Sequence, residues 1–179
     1  MSIITAQITN KYYDKNSFFD LLVDIKDKST NITITFFTQE VTTGNIPLTH
    51  SLLKEKLPSV LRSKCFNDGN LPFRTEVKNT EFGHLFEHIL LEYVCELKRK
   101  MGIKHPVHNG VTNWNWYKDK RGMFHIKLDV GIEDEDLLRV ALYSTSKLFE
   151  QILLSTTDIA SPTQFTPIAK AIPLHLQLK

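Results

Sequence analysis

The strongest structural signal in the sequence is an amphipathic helix predicted over residues 80–102. Thr80 can cap the free amides at its start, and Gly102 is the residue type favoured just past a helix end. At about 100° per residue its apolar positions share one face; they are Phe86, Ile89, Leu90, Tyr93, Val94 and Leu97. A helix of about six turns with one apolar face must pack against another element.

The sequence after this helix predicts a β-hairpin and a second long helix. Two extended runs in VTNWNWYKDKRGMFHIKLDV flank a turn at residues 118–122, and Phe124 begins an alternation of core positions. Acidic residues at 133–136 suit the positive end of a helix dipole. The apolar positions that follow have helical spacing; they are Leu137, Leu138, Ala141, Leu148, Phe149 and Ile152.

The first third of the chain predicts shorter elements. Residues 31–38 are β-branched and aromatic and predict a strand, and residues 2–9 predict a weaker one. Residues 17–26 are interpreted as a short helix, and residues 48–63 as an interrupted one. The fold class that follows is α+β, a two-layer sandwich with a mostly antiparallel sheet and two long helices on one face.

Length and composition limit the classes of protein to consider. A chain of 179 residues predicts one domain, here residues 1–154, followed by an extended tail at 155–179 that contains three prolines. Lys and Arg number 22 against 20 Asp and Glu, so bulk charge predicts neither nucleic-acid nor membrane binding. With two cysteines, no secretory leader and no apolar run of about 20 residues, a cytoplasmic protein is expected. The oligomeric state is left open.

The motif HLFEH lies within the first long helix. His84 and His88 are four residues apart, one turn above the other, so their imidazoles can converge on one zinc ion. Glu87 lies beside them and would accept a proton from a water whose pKa the metal lowers. The alternative is that both histidines are ordinary polar residues on the exposed side of the helix.

A tetrahedral catalytic zinc normally has a third protein ligand. Cys95 lies about 10 Å along the helix axis from His88, which is too far. Glu92 fits better as a carboxylate that orients a ligand histidine, or as a surface charge. The third ligand is therefore expected from another element, with Asp129 and the acidic residues at 133–136 as candidates, although an acidic first turn is also a common helix cap.

Four segments resemble the N-terminal domain of cyanophycin synthetase, which polymerises aspartate and arginine. They are LPSVLRSKCF at 57–66, TEFGHLFEHILLE at 80–92, RGMFHIKLDV at 121–130 and EDLLRVA at 135–141. The resemblance extends from about residue 45 to residue 154. In that family an ATP-grasp module and a Mur-ligase-like module follow; this chain has no room for them and no phosphate-binding loop, so ligase activity is not expected.

The resemblance implies a site and a chemistry. The family's domain holds the polymer, and some members resemble inverted-motif zinc peptidases, whose motif His84, Glu87 and His88 match. The family's acidic residue opening the last helix falls on Glu135, and its strand glutamate falls on Asp129. Since aspartate is shorter than glutamate, Glu135 is the favoured third ligand and Asp129 the alternative.

The stretch 104–121 departs from the family in length and aromatic content. Trp114 and Trp116 alternate along a strand, where core packing is the favoured role and a substrate platform the alternative. Lys118 and Arg121 near the hairpin tip are candidates to meet the carboxylates of an aspartate-rich chain, although such residues are more often solvated.

The leading hypothesis from the sequence is a zinc-dependent peptidase or amidase. Its expected substrate is an Asp/Arg polymer or a related peptide. The competing hypothesis is a non-catalytic module that binds a polymer or a separate ligase partner. A purely structural subunit is the third possibility. Glu87 favours the enzyme, because a binding module has no need of a base.

Overall fold

A computed structural model describes residues 10–66 and 71–155. It contains a five-stranded sheet of order β1-β2-β3-β5-β4, in which every neighbouring pair is antiparallel. The strands are β1 (Asn10–Lys15), β2 (Phe19–Ile25), β3 (Thr30–Phe36), β4 (Gly110–Asn113) and β5 (Met123–Leu128). The predicted hairpin is confirmed as β4 and β5, and β4 forms one edge of the sheet.

Two long helices pack together and against the sheet. These are α3 (Phe82–Lys100) and α4 (Glu135–Leu154), and they follow two short helices, α1 (Thr49–Lys56) and α2 (Phe73–Glu76). Single 3₁₀ turns occur at Thr43–Asn45, Val60–Arg62 and Ile132–Asp134. The predicted α+β fold class is therefore confirmed. None of the helices in the described ranges is long and apolar enough to cross a membrane.

The core is centred on phenylalanine side chains that interlock between the sheet and the two helices. Phe149 of α4 lies with its ring centroid 5.2 Å from that of Phe36 in β3 and 5.7 Å from that of Phe82 in α3. The predicted alternation in β5 is confirmed by the burial of Phe124, Ile126 and Leu128, and Val130 after the strand is buried too. Contacts between aromatic rings, tilted for Phe36 and edge to face for Phe82, add to the free energy of burial.

Helix α3 approaches the sheet closely because of a glycine in its first turn. A Cβ atom added to Gly83 would lie 2.4 Å from Cγ of Phe124. Any larger residue would therefore push the helix away from β5. This contact fixes the histidine-bearing turns of α3 beside the β4–β5 edge of the sheet.

Some sequence predictions are wrong, and two elements, β1 and α2, were missed. The segment 17–26, predicted as a helix, contains strand β2 instead, because Phe19, Leu21, Val23 and Ile25 alternate into the core while the strand pairs on both sides. The adjacent pair Leu21 and Leu22 mimicked a helical pattern, whereas Leu22 is exposed. Strand β1 was not predicted. The predicted strand at 2–9, and all of the predicted tail except its first residue, lie outside the described residues.

The start of α3 also differs from the prediction. Glu81, not Thr80, occupies the capping position, and its side chain makes no capping bond. The hydroxyl of Thr80 lies instead 2.8 Å from Nδ1 of His84. The residue expected to cap the helix therefore contacts a histidine of the HLFEH motif.

Candidate metal centre

The two histidines of the motif converge in the first half of α3. Their Nε2 atoms lie 3.1 Å apart, and their rings meet edge to face with centroids separated by 4.7 Å. The Phe73 ring of α2 stacks on His88 at 3.8 Å between centroids. The same-face arrangement that the four-residue spacing predicts is therefore present.

A cysteine completes the group. Sγ of Cys65, which comes from the segment after the Val60–Arg62 turn, lies 3.3 Å from Nε2 of His84. The donor atoms of Cys65, His84 and His88 all lie within 4.8 Å of one another, and this group could hold a metal ion. Sequence reasoning missed Cys65, although it lies in the segment 57–66 that carries part of the family resemblance.

The hydrogen bonds behind the rings determine which nitrogen of His88 is available. The Ser63 hydroxyl donates its single proton to the Val60 carbonyl at 2.7 Å. It must therefore accept from Nδ1–H of His88, which lies 3.0 Å away. Nε2 of His88 is then unprotonated and faces Nε2 of His84. This tautomer is the one that ligates a metal through Nε2.

Burial keeps both imidazoles neutral. It lowers the pKa of His88 to about 3, and the neighbouring His84 adds to that effect. Burial also lowers the pKa of His84, against the opposing charges of Glu81 and Glu76. A metal ligand must be the neutral imidazole, so near neutral pH no proton has to be removed from either ring.

Two of the three donor separations match the spacing of zinc ligands, and the donor types suit zinc. With ordinary zinc bond lengths, tetrahedral ligands lie about 3.4 Å apart for two nitrogens and about 3.6 Å apart for nitrogen and sulfur. The two separations given above, 3.1 Å and 3.3 Å, are within a few tenths of an ångström of these values. Thiolate and imidazole are also the donors that zinc prefers. Cys65, rather than the expected Glu135 or Asp129, is the third member of the group that could hold a metal ion.

Glu87 lies next to this group but is not part of it. Its side chain is buried, with 5% of its surface exposed, and it accepts a hydrogen bond from the Thr112 hydroxyl of β4. Gly110 allows this position, because a Cβ atom there would lie 2.7 Å from Oε1 of Glu87. Burial raises the pKa of Glu87 to about 7, while the bond from Thr112 opposes the rise. The carboxyl is therefore poised to gain and lose a proton near neutral pH.

A cleft of about 710 Å³ lies between α3, β4 and the segment at 63–66, and it is lined by Cys65, His84, Glu87 and His88. Three further carboxylates, those of Glu76, Glu81 and Glu92, line it, against one lysine, Lys64. The cleft therefore carries a negative charge on a protein whose net charge is +2.

A histidine–aspartate pair, His108 with Asp129, borders the cleft. His108, just before β4, lines it, and Nδ1 of His108 lies 3.2 Å from Oδ1 of Asp129. Asp129 also accepts bonds from the backbone and side-chain amides of Asn109. A carboxylate bound to Nδ1 orients an imidazole and fixes its tautomer, which leaves Nε2 of His108 as its second polar atom. Sequence reasoning did not identify His108.

The structure places the other predicted ligands elsewhere. Glu135 forms an ion pair with Arg139 one turn along α4, at 2.6 Å. Asp129 bonds to His108 and Asn109, and neither acid belongs to the group of converging donors. Glu92 lines the cleft and pairs with Arg99, and within the described part of the chain it forms no hydrogen bond with His84 or His88.

Of the residues predicted to bind substrate, only Trp114 lines the cleft. Trp116 packs against Phe124 at 5.6 Å between centroids, and its indole donates to the Met123 carbonyl. The Arg121 guanidinium lies 4.9 Å above the Trp116 ring. Lys118 is exposed in the turn between β4 and β5.

Comparisons with known proteins do not place this chain in a family. No protein-family model, curated protein or solved structure matches it. The fold and the site therefore define it only as an α+β domain with a cysteine and two histidines gathered in an acidic cleft. The function must be argued from that geometry.

Proposed function

We propose that the protein is a metal-dependent hydrolase of amide bonds, a peptidase or amidase. The observation that carries this proposal is the convergence of Cys65, His84 and His88 beside the buried carboxyl of Glu87 in one open cleft. Three donors converge among the described residues, which would leave a fourth tetrahedral position for substrate or water, as in catalytic zinc sites. A structural zinc site would instead be closed by a fourth protein ligand.

Zinc is the metal that this donor set favours, held by Sγ of Cys65 and by Nε2 of both histidines. When bound, it would supply Lewis acidity, which polarises a carbonyl group and lowers the pKa of a water molecule. The hydroxyls of Ser63 and Thr80 would hold the two rings in orientation through Nδ1.

Glu87 is proposed as the general base. It lies one residue before His88, faces the cleft and is held by Thr112, so its carboxyl has a fixed position. It would take a proton from the attacking water and return that proton to the leaving nitrogen. A carboxyl whose pKa lies near 7 can do both at neutral pH.

His108 is proposed to contact a substrate bound in the cleft. Asp129 lies at Nδ1 and orients the ring, which leaves Nε2 as the atom that can bond to the substrate.

The substrate proposed first is an Asp/Arg polymer or a related peptide, through the resemblance to the cyanophycin synthetase domain. The acidic lining of the cleft supports arginine side chains rather than aspartates as the part that enters it. Lys118 and Arg121 lie outside the cleft lining, so they give no support to carboxylate binding there.

A non-catalytic module that binds a polymer or a separate ligase is the second candidate. One observation favours it: the histidines can be satisfied without metal. Thr80 can donate to Nδ1 of His84, whose Nε2–H can donate to His88, whose Nδ1–H donates to Ser63. This closed chain of bonds needs no ion.

Metal content decides between the two. Purified protein supplied with zinc should hold close to one equivalent by elemental analysis, and Cys65→Ala and His88→Ala variants should hold far less. Cys95→Ala is the matched control, since Cys95 is a buried cysteine of the same cleft outside the donor group. If the unaltered protein binds no zinc, the hydrolase proposal fails and the binding module replaces it.

Activity is then tested on Asp/Arg polymers and on mixed peptides. The zinc-loaded protein should release new amino termini, and Glu87→Gln should abolish that release while still binding zinc. Full activity in Glu87→Gln would remove Glu87 from the role of base.

A further inference from the structure

We propose that the outer edge of β4 is the docking strand for an extended peptide that carries a basic residue. The peptide would pair with β4 as a sixth strand and so be held along the cleft. This inference rests on the proposed function, because it names the substrate class and binding mode of the same site. The main-chain atoms of Gly110 and Thr112 are the groups assigned to it.

The hydrogen-bond register shows which way these atoms face. In an antiparallel pair, only alternate residues bond to the opposite strand. Asp129 N donates to Asn109 O, so this pair is hydrogen-bonded, and in the register of β4 and β5 the next such pairs are Val111 with Lys127 and Asn113 with His125. The N–H and C=O groups of Gly110 and Thr112 therefore point away from β5.

The other side of β5 gives the same phase independently. Phe36 N donates to Gly122 O, so the even-numbered residues of β5 bond to β3. The odd-numbered residues of β5 are then the ones that face β4. The pairing of β5 with β3 and its pairing with β4 thus assign the same two β4 residues, Gly110 and Thr112, to the outer edge of the sheet.

This edge is unpaired in the described part of the chain. Strand β4 is last in the sheet order, and none of the described residues forms a backbone hydrogen bond with the outward groups of Gly110 and Thr112. Unpaired N–H and C=O groups in a row are a template for another extended chain.

The edge borders the candidate metal centre. Gly110 and Thr112 both contact the Glu87 side chain, and both line the same cleft as His84 and His88. A peptide paired with β4 would therefore run past the base and the metal ligands, with its amide bonds at a fixed height above α3. Backbone pairing would supply affinity without requiring a particular sequence.

Charge selects the side chain that faces α3. Glu76 and Glu81 lie in the cleft wall near His84, and the described residues give neither carboxylate a hydrogen-bonding or ion-pair partner. Glu92, in contrast, is paired with Arg99. An arginine or lysine of the peptide would compensate the two unpaired carboxylates, whereas an acidic residue would be repelled.

Amide hydrogen exchange followed by NMR tests the docking edge directly. The probe is an acetylated, amidated hexapeptide, Thr-Val-Arg-Val-Thr-Val, added to the zinc-free full chain so that no cleavage occurs. The Gly110 and Thr112 amides should exchange rapidly without peptide and slow about tenfold at ten times the dissociation constant. The Val111 and Asn113 amides, already bonded to β5, should be slow in both samples and serve as the internal control.

Three results would overturn the docking strand. One is an absence of binding by the arginine peptide at millimolar concentration. Another is binding that leaves Gly110 and Thr112 unchanged. The last is slow exchange of these two amides before any peptide is added, which would mean that part of this chain or a second copy already covers the edge.

The preference for a basic residue is tested with matched peptides that carry glutamine or glutamate in place of arginine. The arginine peptide should bind more tightly than the glutamine peptide, by up to about fivefold for each carboxylate it compensates. The double variant Glu76→Gln, Glu81→Gln should lose this preference, while Glu133→Gln, an exposed acid outside the cleft, should retain it. An unchanged preference in the double variant contradicts the charge argument.

The docking strand and the hydrolase can fail separately. Peptide-dependent protection of Gly110 and Thr112 without any cleavage by the zinc-loaded protein would keep the docking strand and remove the hydrolase. Cleavage of peptides that leave both amides unprotected in the zinc-free protein would keep the hydrolase and remove the docking strand.

Discussion

Replacing Glu87 by glutamine should stabilise the zinc-free protein at alkaline pH far more than at acidic pH. Burial raises the pKa of this carboxyl from 4.5 to about 7. The folded protein therefore binds the proton more tightly than the unfolded chain, and the stability this provides is lost as pH rises from about 4.5 through about 7. Glutamine stays neutral at every pH, and its carbonyl can still accept the bond from Thr112.

The magnitude follows from the two pKa values. One pKa unit is worth about 1.4 kcal/mol, so full ionisation of the buried carboxyl costs about 3 kcal/mol. Part of that cost is already present at about pH 5, so the advantage of Glu87→Gln over the unaltered protein should grow by about 2 to 3 kcal/mol between about pH 5 and about pH 8.5. The burial of Glu87, with 5% exposed, justifies applying the conversion without a discount for solvent screening.

Urea unfolding at the two pH values, with a chelator present, measures this difference. The chelator is needed because a cation beside Glu87 would favour its ionised form. Glu133→Gln is the control, since this exposed acid should show nearly the same difference from the unaltered protein at both pH values. An equal stability difference for Glu87→Gln at both pH values would refute the argument that burial governs this carboxyl.

Three further outcomes are expected. Between about pH 7.5 and pH 5 the zinc-free protein should lose about 2 kcal/mol of stability relative to His88→Gln in urea titrations, because the unfolded chain protonates His88 first; a stability difference that does not change with pH would contradict the burial of His88. Phe149→Ala should lower the free energy of unfolding by about 3 to 5 kcal/mol, since the ring is fully buried among other phenylalanines, and a loss below about 1 kcal/mol would contradict that packing. Gly83→Ala should lower the melting temperature, at a cost of about 1 to 3 kcal/mol, because its Cβ meets Phe124, whereas the exposed Ser51→Ala on α1 should have little effect; equal melting temperatures for the two variants would refute the close approach of α3 to β5.

Local patterns in the sequence determined most of the fold. The 3.6-residue spacing of apolar positions located α3 and α4, and the alternation that begins at Phe124 located β5 with its buried face. The same kind of reasoning failed at residues 17–26, because two adjacent leucines fit either period over so short a span. Strand pairing on both sides, which is a long-range interaction, made that segment β2.

The candidate site, like the fold, could be predicted only in part from the sequence. His84 and His88 are close because one helix places residues four apart on one face, and Glu87 directly precedes His88, so the sequence by itself could bring the three together. Cys65 reaches His84 from 19 positions earlier, and β4 reaches Glu87 from 25 positions later. No local spacing encodes such contacts; they exist only because the core packs α3 against the sheet and the segment at 63–66 against α3. The sequence of the helix thus predicted two candidate ligands and a candidate base. The tertiary structure decided the approach of Cys65, the burial that shifts the pKa values of His84, Glu87 and His88, and the edge of β4 that is unpaired among the described residues.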